Sequence, residues 1–206
     1  MELQVFEHEQ GSPEWYQARL GLATSSEFAT VMASGRGGSE SKTRRTYMLK
    51  LLGERLTGQP AENYSNLYME RGKVMEAEAR ELYAMVTGNE CRQVGFIRRG
   101  DAGCSPDSLI GDDGMLEVKT RTPHLQLDAL LRDEIPPEYM AQLYGQLWVA
   151  ERAWVDVISY WPGLPPLIKR VTRKESELNA IAIAVGQFNQ ELAALESRFA
   201  PARKAA

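Results

Sequence analysis

The order of the predicted elements favours a mixed α/β fold with its sheet in the middle of the chain. Apolar residues recur at helical spacing through most of the first half, up to about Thr87. The period then changes to two in the short runs 107–111 and 115–119, which are separated by an Asp-Gly pair typical of a hairpin. A helix, a strand and a second long helical stretch follow.

The chain has 206 residues, which predicts one domain spanning 1–206, with 172–199 as a C-terminal amphipathic helix. With 43% hydrophobic and 25% charged residues, a wholly disordered chain is excluded. The longest apolar run, 180–185, is too short to cross a bilayer, so we expect no membrane partner. Two cysteines and no visible secretory leader predict a cytoplasmic location.

Local signals predict four helices in the first half. The sequence Ser-Pro-Glu at 12–14 favours a short helix, and 24–27 fits a capping box that begins a second one. A third helix is predicted over 42–56. A fourth is predicted over 67–87, with Gly88 as its stop signal.

The second half is predicted to alternate strands and helices. We expect a strand at 94–97, a helix at 138–150 and a strand at 154–161. The segment 120–137, with three prolines, is predicted to be a long connection. The tail 171–199 is predicted to be helical, because its apolar residues repeat at alternating spacings of three and four. Packing against the chain's own sheet is favoured over an intermolecular coiled coil.

Charge is distributed unevenly, although the net charge is only −4 and excludes a uniformly basic surface. The stretch 36–55 carries six basic and two acidic residues, whereas 101–117 carries five acidic residues and no basic one. A basic patch can hold phosphates, and a group of carboxylates can hold a hard cation. A solvated surface is the alternative for each stretch.

The predicted hairpin carries the clearest chemical pattern. Asp107 follows a proline, and Glu117 and Lys119 follow on the second strand. Because side chains alternate along a strand, Glu117 and Lys119 share one face, and the hairpin places Asp107 across from Glu117. Two close carboxylates repel unless a cation lies between them. Oxygen ligands suit Mg²⁺ or Mn²⁺, and this set suits phosphodiester hydrolysis, with a salt-bridged sheet edge as the alternative.

A further carboxylate, Glu76, lies on the fourth predicted helix. It borders the apolar stripe of that helix rather than the charged face. An acid in such a position is either paired with a cation or a ligand. A helix-boundary salt bridge is the more ordinary interpretation of Glu76 when it is taken alone.

Together these motifs resemble the PD-(D/E)xK nucleases, and more narrowly the phage lambda exonuclease or YqaJ-type viral recombination exonucleases. Five motifs carry the resemblance over much of the chain. They are 15–21 with 24–27, Arg71-Gly72 with Glu76, 104–107, 116–119, and 139–142 with Gln146 and Trp148. The resemblance implies a restriction-endonuclease-like α/β core with a central mixed sheet flanked by helices.

The resemblance also implies roles at the hairpin. Asp107, Glu117 and the Val118 carbonyl are expected to ligate Mg²⁺, for which Mn²⁺ can substitute, with Glu76 as a supporting catalytic and metal residue. Lys119 is expected to position or activate the attacking water. Gln142 is expected to orient the water or the substrate from its helix.

DNA contacts are implied at three further places. Arg19, Ser26 and Ser105 are expected to form a pocket for a 5′-phosphate, since a guanidinium and two hydroxyls suit a phosphate. Ser26 also lies near a predicted helix N-terminus, where main-chain amides favour anions. A surface pair and a helix cap are the structural alternatives for Arg19 and Ser26.

The basic stretch 36–55, including Arg44 and Arg45, could line a DNA channel. Met69 is a candidate wedge at the strand junction, with simple packing as its alternative. This chain has Arg71 at a position where lambda-type members of the family can carry an aromatic residue.

The function implied by the resemblance is a Mg²⁺-dependent 5′→3′ exonuclease of phage or prophage recombination, acting in the bacterial cytoplasm on linear duplex DNA. The family implies a homotrimeric ring and a single-strand annealing protein as partner. Another PD-(D/E)xK enzyme, an endonuclease or junction resolvase, is the first alternative; the Arg/Ser pocket argues against it. A catalytically silent DNA-end-binding module is the second, and the presence of Asp107, Glu117 and Lys119 argues against that.

Overall fold

The computed structural model describes residues 2–35, 37, 39–61 and 67–203, except for the side chains of 67–71, 73 and 200–203. Helices and strands alternate along this part of the chain. They are β1 (Leu3–Phe6), α1 (Pro13–Ala18), β2 (Ala23–Thr24), α2 (Phe28–Met32), α3 (Lys42–Thr57), α4 (Leu67–Thr87), β3 (Phe96–Arg99), β4 (Ala102–Cys104), β5 (Ser108–Ile110), β6 (Gly114–Thr120), α5 (Pro123–Arg132), α6 (Met140–Ala150), β7 (Trp154–Tyr160), β8 (Leu167–Thr172) and α7 (Glu175–Arg203).

The strands form two four-stranded sheets, in the orders β1-β3-β4-β2 and β5-β6-β7-β8. Each sheet mixes parallel and antiparallel pairs, which confirms the predicted α/β class. In the second sheet β6 pairs antiparallel with β5, with Ser108 opposite Leu116. Continuing this register by one residue puts Asp107 opposite Glu117. The predicted hairpin is therefore confirmed, and β6 lies in the interior of its sheet.

The two longest helices predicted in the first half are confirmed by α3 and α4. Each is followed by a glycine in the left-handed region, Gly58 with φ of 69° and Gly88 with φ of 72°. Glycine adopts this conformation without the steric cost of a Cβ atom, so both residues end their helices cleanly.

The predicted long connection over 120–137 is wrong, because α5 occupies most of it. Pro123 is the first helical residue, where its missing N–H costs nothing. In α5 a polar residue is buried and a leucine is exposed, the reverse of the usual pattern in amphipathic helices. Its buried residues are Gln126 and Ala129, while Leu131 is 87% exposed. Apolar periodicity therefore did not indicate which face packs on the protein.

Four strands were not predicted: β1, β2, β4 and β8. The tail helix was predicted from Val171, but β8 includes Val171 and Thr172, and α7 begins at Glu175. The strand predicted at 94–97 is β3, which starts two residues later. β4 and β8 pair with the strand just before them, whereas β1 and β2 pair with strands far away in the sequence, β3 and β4. Local sequence does not show such pairing.

The capping box predicted at 24–27 is not formed. Residues Ser25–Glu27 make a 3₁₀ turn, and α2 begins only at Phe28 without a side-chain cap. The Thr24 hydroxyl instead lies 3.3 Å from the Ser26 hydroxyl and 3.3 Å from the Arg19 guanidinium. The polar side chains of this segment thus contact one another rather than the helix end.

The apolar seam of α7 is buried within the chain's own core. Leu178, Val185 and Phe188 are at most 1% exposed. They pack chiefly against α2, α3 and α6, so the partners of the seam are helices more than the predicted sheet. Among the described residues, no helix combines the length and the apolar character needed to cross a membrane.

Replacing Phe188 with alanine is expected to lower the free energy of unfolding by about 3–5 kcal/mol. Its ring is fully buried and lies 5.7 Å from the Tyr47 ring, centre to centre. Urea unfolding measures the change. Ile183→Ala, at a 62% exposed position of the same helix, is the control and should change stability by about 0.5 kcal/mol or less. If Phe188→Ala unfolds like the wild type but changes the oligomer size, the seam is an interface.

Candidate active site

Strand β6 separates a polar face from an apolar one at the centre of the second sheet. Leu116 and Val118 pack in an apolar cluster behind the strand. Glu117, which is 4% exposed, points to the other face together with Lys119. The Lys119 ammonium lies 2.6 Å from Glu117 Oε1. The predicted alternation is therefore present, and the two opposite charges are in direct contact.

Helix α6 supplies two glutamines that hold Glu117. Gln142 Nε2 donates to Glu117 Oε1 at 2.7 Å, and Gln146 Nε2 donates to Glu117 Oε2 at 2.6 Å. The side-chain oxygen of Gln142, Oε1, also accepts from the Lys119 ammonium at 2.9 Å. The sequence reasoning missed the role of Gln146, although its spacing of four from Gln142 places both on one helix face.

Asp107 lies at the start of β5 and is tied to β6 by its own side chain. The Val118 amide donates to Asp107 Oδ2 at 2.6 Å. Part of Asp107 faces the cleft, but its carboxyl lies deep among protein atoms. This burial, followed by the charges of Glu117 and Glu76, raises the pKa of Asp107 well above its ordinary value. A cation placed among these carboxylates would relieve that repulsion.

Lys119 is held as a charged donor. Burial by itself would lower the pKa of Lys119, but the charge and hydrogen bond of Glu117 and the charge of Asp107 outweigh it, and the pKa is raised. The ammonium therefore stays protonated at neutral pH in this arrangement. The aromatic ring of Tyr139 lies 4.8 Å from the Lys119 ammonium and covers one side of it. Such a group orients and stabilises negative charge more readily than it removes a proton.

Glu76 is near these carboxylates but is paired elsewhere. It forms an ion pair with Arg80 one turn along α4. Its charge still acts on Asp107, and both residues border the same cleft. In the part of the chain that the structure describes, no group of three or more His, Cys, Asp or Glu side chains is arranged to hold a metal ion. The supporting role of Glu76 stays a prediction.

The cleft beside Asp107 has a volume of about 650 Å³. It lies between α4 and the N-terminal segment 7–11, with Trp15 on its border. Cavities of this size accommodate small organic ligands. A small ligand in this cleft would lie beside Asp107.

The structure brings together the three residues predicted to bind a 5′-phosphate. Trp15 Nε1 donates to Ser105 Oγ at 3.0 Å, and the Arg19 guanidinium lies 4.0 Å from the centre of the Trp15 ring. Arg19 Nη2 donates to Thr24 Oγ1, which also contacts Ser26 Oγ. Trp15 and Thr24 connect the group, and the sequence reasoning assigned neither of them to the site.

Arg19 is enclosed without an acidic partner. Among the described residues, no carboxylate lies within 4.0 Å of its guanidinium. Burial lowers the pKa of Arg19, and the charges around Tyr47 and Glu54 offset part of this effect. Ser26 belongs to a 3₁₀ turn, and α2 begins two residues later at Phe28, so Ser26 lies near a helix start as predicted. The Arg19 guanidinium is the charged donor available to an anion in this pocket.

One loop connects the two predicted sites. Ser105 and Asp107 are two residues apart, and Gln10 holds this loop by donating to the Pro106 carbonyl at 3.1 Å and the Val94 carbonyl at 3.0 Å. The N-terminal segment crosses Gly95 so closely that a Cβ atom there would lie 2.0 Å from the His8 carbonyl oxygen. Gln10 carries no local signal of this role, because both contacts are distant in sequence.

Arg44 and Arg45, which were also predicted to contact DNA, form contacts elsewhere. Arg44 forms a bidentate ion pair with Glu191 at 2.8 and 2.9 Å. Its Nε also donates to the Val31 carbonyl at 3.0 Å. Arg45 lies at the surface, 3.5 Å from Glu40. The Met69 side chain lies outside the described residues. The structure thus engages Arg44 in tertiary contacts with α7.

Comparison with known proteins identifies the family. The model of the YqaJ-like viral recombinase domain matches residues 14–153. LHK-Exo, an alkaline exonuclease from Laribacter hongkongensis, is 32% identical with a TM-score of 0.83, covering 95% of this chain and 100% of its own. Its dAMP complex gives the same identity and coverage, with a TM-score of 0.84.

A more distant structure, a phage-related exonuclease from Haemophilus somnus 129PT, shares 14% identity with a TM-score of 0.65. It covers 86% of this chain and 96% of its own, and supports the restriction-endonuclease-like fold alone. No curated protein matches the chain significantly. The family match covers more than half of the chain and contains every residue of the hairpin site. The chain therefore belongs to the YqaJ-like viral recombinase family.

Proposed function

We propose that this protein is a Mg²⁺-dependent 5′→3′ exonuclease. It digests one strand of linear duplex DNA from a 5′-phosphorylated end and leaves 3′ overhangs for recombination by strand annealing. One observation carries the proposal: the loop 105–107 joins a buried guanidinium pocket to a pair of close carboxylates beside a lysine. The similarity to LHK-Exo, an alkaline exonuclease, supports it.

The donor set fits a divalent cation. Asp107 and Glu117 are close enough for their charges to interact, and the Val118 carbonyl lies between Glu117 and Lys119 in sequence. These oxygens would hold Mg²⁺ or Mn²⁺, with Glu76 in support. When bound, the ion supplies Lewis-acid charge and lowers the pKa of a coordinated water.

The protein's own side chains supply the remaining work. The Lys119 ammonium donates to the attacking water or to an oxygen of the scissile phosphate. Gln142 fixes the direction of that ammonium by accepting one of its hydrogens. Gln146 holds the far oxygen of Glu117, so the carboxylate keeps one orientation. The Arg19 pocket holds the strand end and thereby sets which bond reaches Lys119.

The direct test compares linear duplex DNA carrying a 5′-phosphate at one end with covalently closed circular duplex. Each is incubated with Mg²⁺ and, separately, with a chelator. We expect digestion of the linear DNA from the phosphorylated end, with Mg²⁺ only. Cutting of the circle would indicate an endonuclease or junction resolvase. Binding to ends without any cutting would indicate a silent end-binding module.

Arg19→Ala is expected to reduce the preference for 5′-phosphorylated over 5′-hydroxyl ends by about 10- to 100-fold. A hydrogen bond to a charged group contributes about 1.5–3 kcal/mol, and 1.4 kcal/mol corresponds to a factor of ten. The ratio of initial rates on the two ends measures the effect. Arg132→Ala, at a 70% exposed side chain on α5, is the matched control. An unchanged ratio in Arg19→Ala would show that the end phosphate binds elsewhere.

We further propose that the enzyme works as a homotrimeric ring in the cytoplasm of a bacterial host. There it passes its 3′ overhang to a single-strand annealing protein. Family membership supports both points. Light scattering tests the ring, which predicts three times the 23.1 kDa mass of the chain. A monomeric mass in the presence of duplex DNA would contradict it.

A further inference from the structure

Arg121 lies directly beyond the catalytic strand and on its polar face. It follows Lys119 by two residues, so Glu117, Lys119 and Arg121 point the same way. The Arg121 amide donates to the Tyr160 carbonyl at 3.2 Å and extends the β6–β7 pairing. The position of Arg121 relative to Lys119 is therefore fixed by the sheet.

The Arg121 side chain is buried without a matching acceptor. It is only 7% exposed, and its Nε and Nη1 atoms have no hydrogen-bond partner among the described residues. The nearest carboxylate is that of Glu138, 4.0 Å from Nη2 and 61% exposed. An exposed pair at this distance contributes little. A buried guanidinium in this state carries an uncompensated desolvation cost, which an anion would offset.

Lys119 and Arg121 share one aromatic wall but differ in their compensation. The Tyr139 ring centre lies 4.8 Å from the Lys119 ammonium and 5.8 Å from the Arg121 guanidinium carbon. Both cations line a small cavity together with Tyr139. Lys119 is neutralised by Glu117, whereas Arg121 has only the distant Glu138. The free space of this cavity is about 10 Å³, which is enough for one water molecule. An anion larger than water would therefore bind at the mouth of the cavity.

We propose that Arg121 binds a second phosphate of the substrate strand, close to the phosphate that is hydrolysed. The inference rests on the proposed nuclease function. Two residues along a strand span about 7 Å. Each DNA strand carries one phosphate per about 3.4 Å of helix axis. A strand whose scissile phosphate lies beside Lys119 therefore presents another phosphate to Arg121. Glu138 is a weak competitor that the phosphate displaces.

The first test measures binding of a 5′-phosphorylated duplex in chelator, where the DNA stays intact. We expect Arg121→Gln to weaken binding about tenfold and to reduce the slope of log K against log salt by about 0.9, as expected for one lost phosphate contact. Glu138→Gln should strengthen binding by about two- to fivefold, because it removes the competing carboxylate. Arg132→Gln is the control and should leave both quantities unchanged. The proposal would be overturned if Arg121→Gln kept the salt slope of the wild type and Glu138→Gln left DNA affinity unchanged.

A second test locates the phosphate. Neutral methylphosphonate linkages are placed one at a time along the 5′-terminal strand. At one position the neutral linkage should weaken DNA binding by the wild type. The same linkage should not weaken binding by Arg121→Gln, because that variant already lacks the contact. If instead only a deoxynucleoside 5′-monophosphate binds more weakly to Arg121→Gln, the phosphate is that of the released nucleotide. Identical profiles for both proteins and both ligands would reject a phosphate contact.

Folding and the nuclease assignment are controlled separately. Thermal unfolding is recorded for each variant, and Arg121→Lys keeps the positive charge if Arg121→Gln is unstable. Arg121→Lys should retain the salt slope while losing affinity, because an ammonium lacks the planar fork of the guanidinium. The binding assays need no turnover. A wild type that binds DNA ends but digests nothing would therefore refute the proposed function and still test Arg121.

Discussion

Replacing Lys119 with alanine is expected to lower the rate of DNA digestion by about 10²–10⁴-fold while duplex binding is retained. The ammonium donates to both Glu117 and Gln142, which hold it in place. Its loss removes the donor that stabilises charge on the attacking water or the phosphate. Glu117 keeps its contacts with Gln142 and Gln146, so we expect the fold to persist. Single-turnover digestion and end binding are measured on the same preparation.

Lys169→Ala is the matched control for this variant. Lys169 lies on β8 of the same sheet and pairs with the exposed Asp133 at 2.6 Å. Its removal should leave digestion unchanged. If Lys119→Ala instead loses DNA binding or unfolds at a much lower temperature, Lys119 is a structural partner of Glu117. The salt-bridged sheet edge considered from the sequence would then be the better interpretation.

Local patterns in the sequence were sufficient to predict the catalytic hairpin. Strand alternation at 115–119 determines which side chains share a face, and the Asp-Gly pair sets the register. Both signals act within fifteen residues. The helices α3 and α4 were predictable for the same reason, because apolar spacing and a terminal glycine define them locally.

The contacts that complete the site could not be predicted in this way. Gln10 reaches carbonyls 84 and 96 residues away, and Trp15 reaches Ser105 across 90 residues. Arg121 lies two residues after the Glu117-Val118-Lys119 motif, but only its burial in the folded protein sets it apart from other arginines. α5 exposes leucines and buries Gln126, which bonds to the Ser159 and Pro165 carbonyls. In each case tertiary contact decides the role, and neither composition nor periodicity indicates it.

The same long-range contacts join the proposed end pocket to the proposed metal site. Ser105 and Asp107 share a short loop that Gln10 and Trp15 hold from one side. The Val118 amide holds Asp107 from the other side. If the proposed function holds, a strand end bound near Ser105 lies a short, defined distance from the carboxylates, as positioning a reacting group requires.

Asp107→Asn is expected to raise the stability of the metal-free protein, by an amount of order 1 kcal/mol, and to abolish digestion. The asparagine carbonyl can still accept from the Val118 amide, while the repulsion from Glu117 and Glu76 disappears. Thermal unfolding in chelator should therefore shift upward by about 2–4 °C. Added Mg²⁺ should stabilise the wild type and have much less effect on the variant.

The pH dependence follows from the same cause. The pKa of Asp107 is raised in the folded protein, so the wild type loses stability as the pH rises from 3.8, the ordinary value, towards the raised one. The asparagine variant lacks this loss, and its advantage should grow with pH over that window.

Asp156→Asn is a control of opposite sign. Its buried carboxylate accepts two hydrogen bonds from Arg170, at 2.7 and 2.8 Å, and one from Tyr83 at 2.6 Å. Neutralising it removes favourable pairing and should lower the unfolding temperature. The two aspartates thus differ in what surrounds them: Asp156 accepts from a guanidinium and a hydroxyl, whereas Asp107 accepts from the Val118 amide and lies near the charges of Glu117 and Glu76. If Asp107→Asn were as destabilising as Asp156→Asn, the Asp107 carboxylate would be a structural partner already satisfied by the protein. The argument that its neighbours leave room for a divalent cation would then fail.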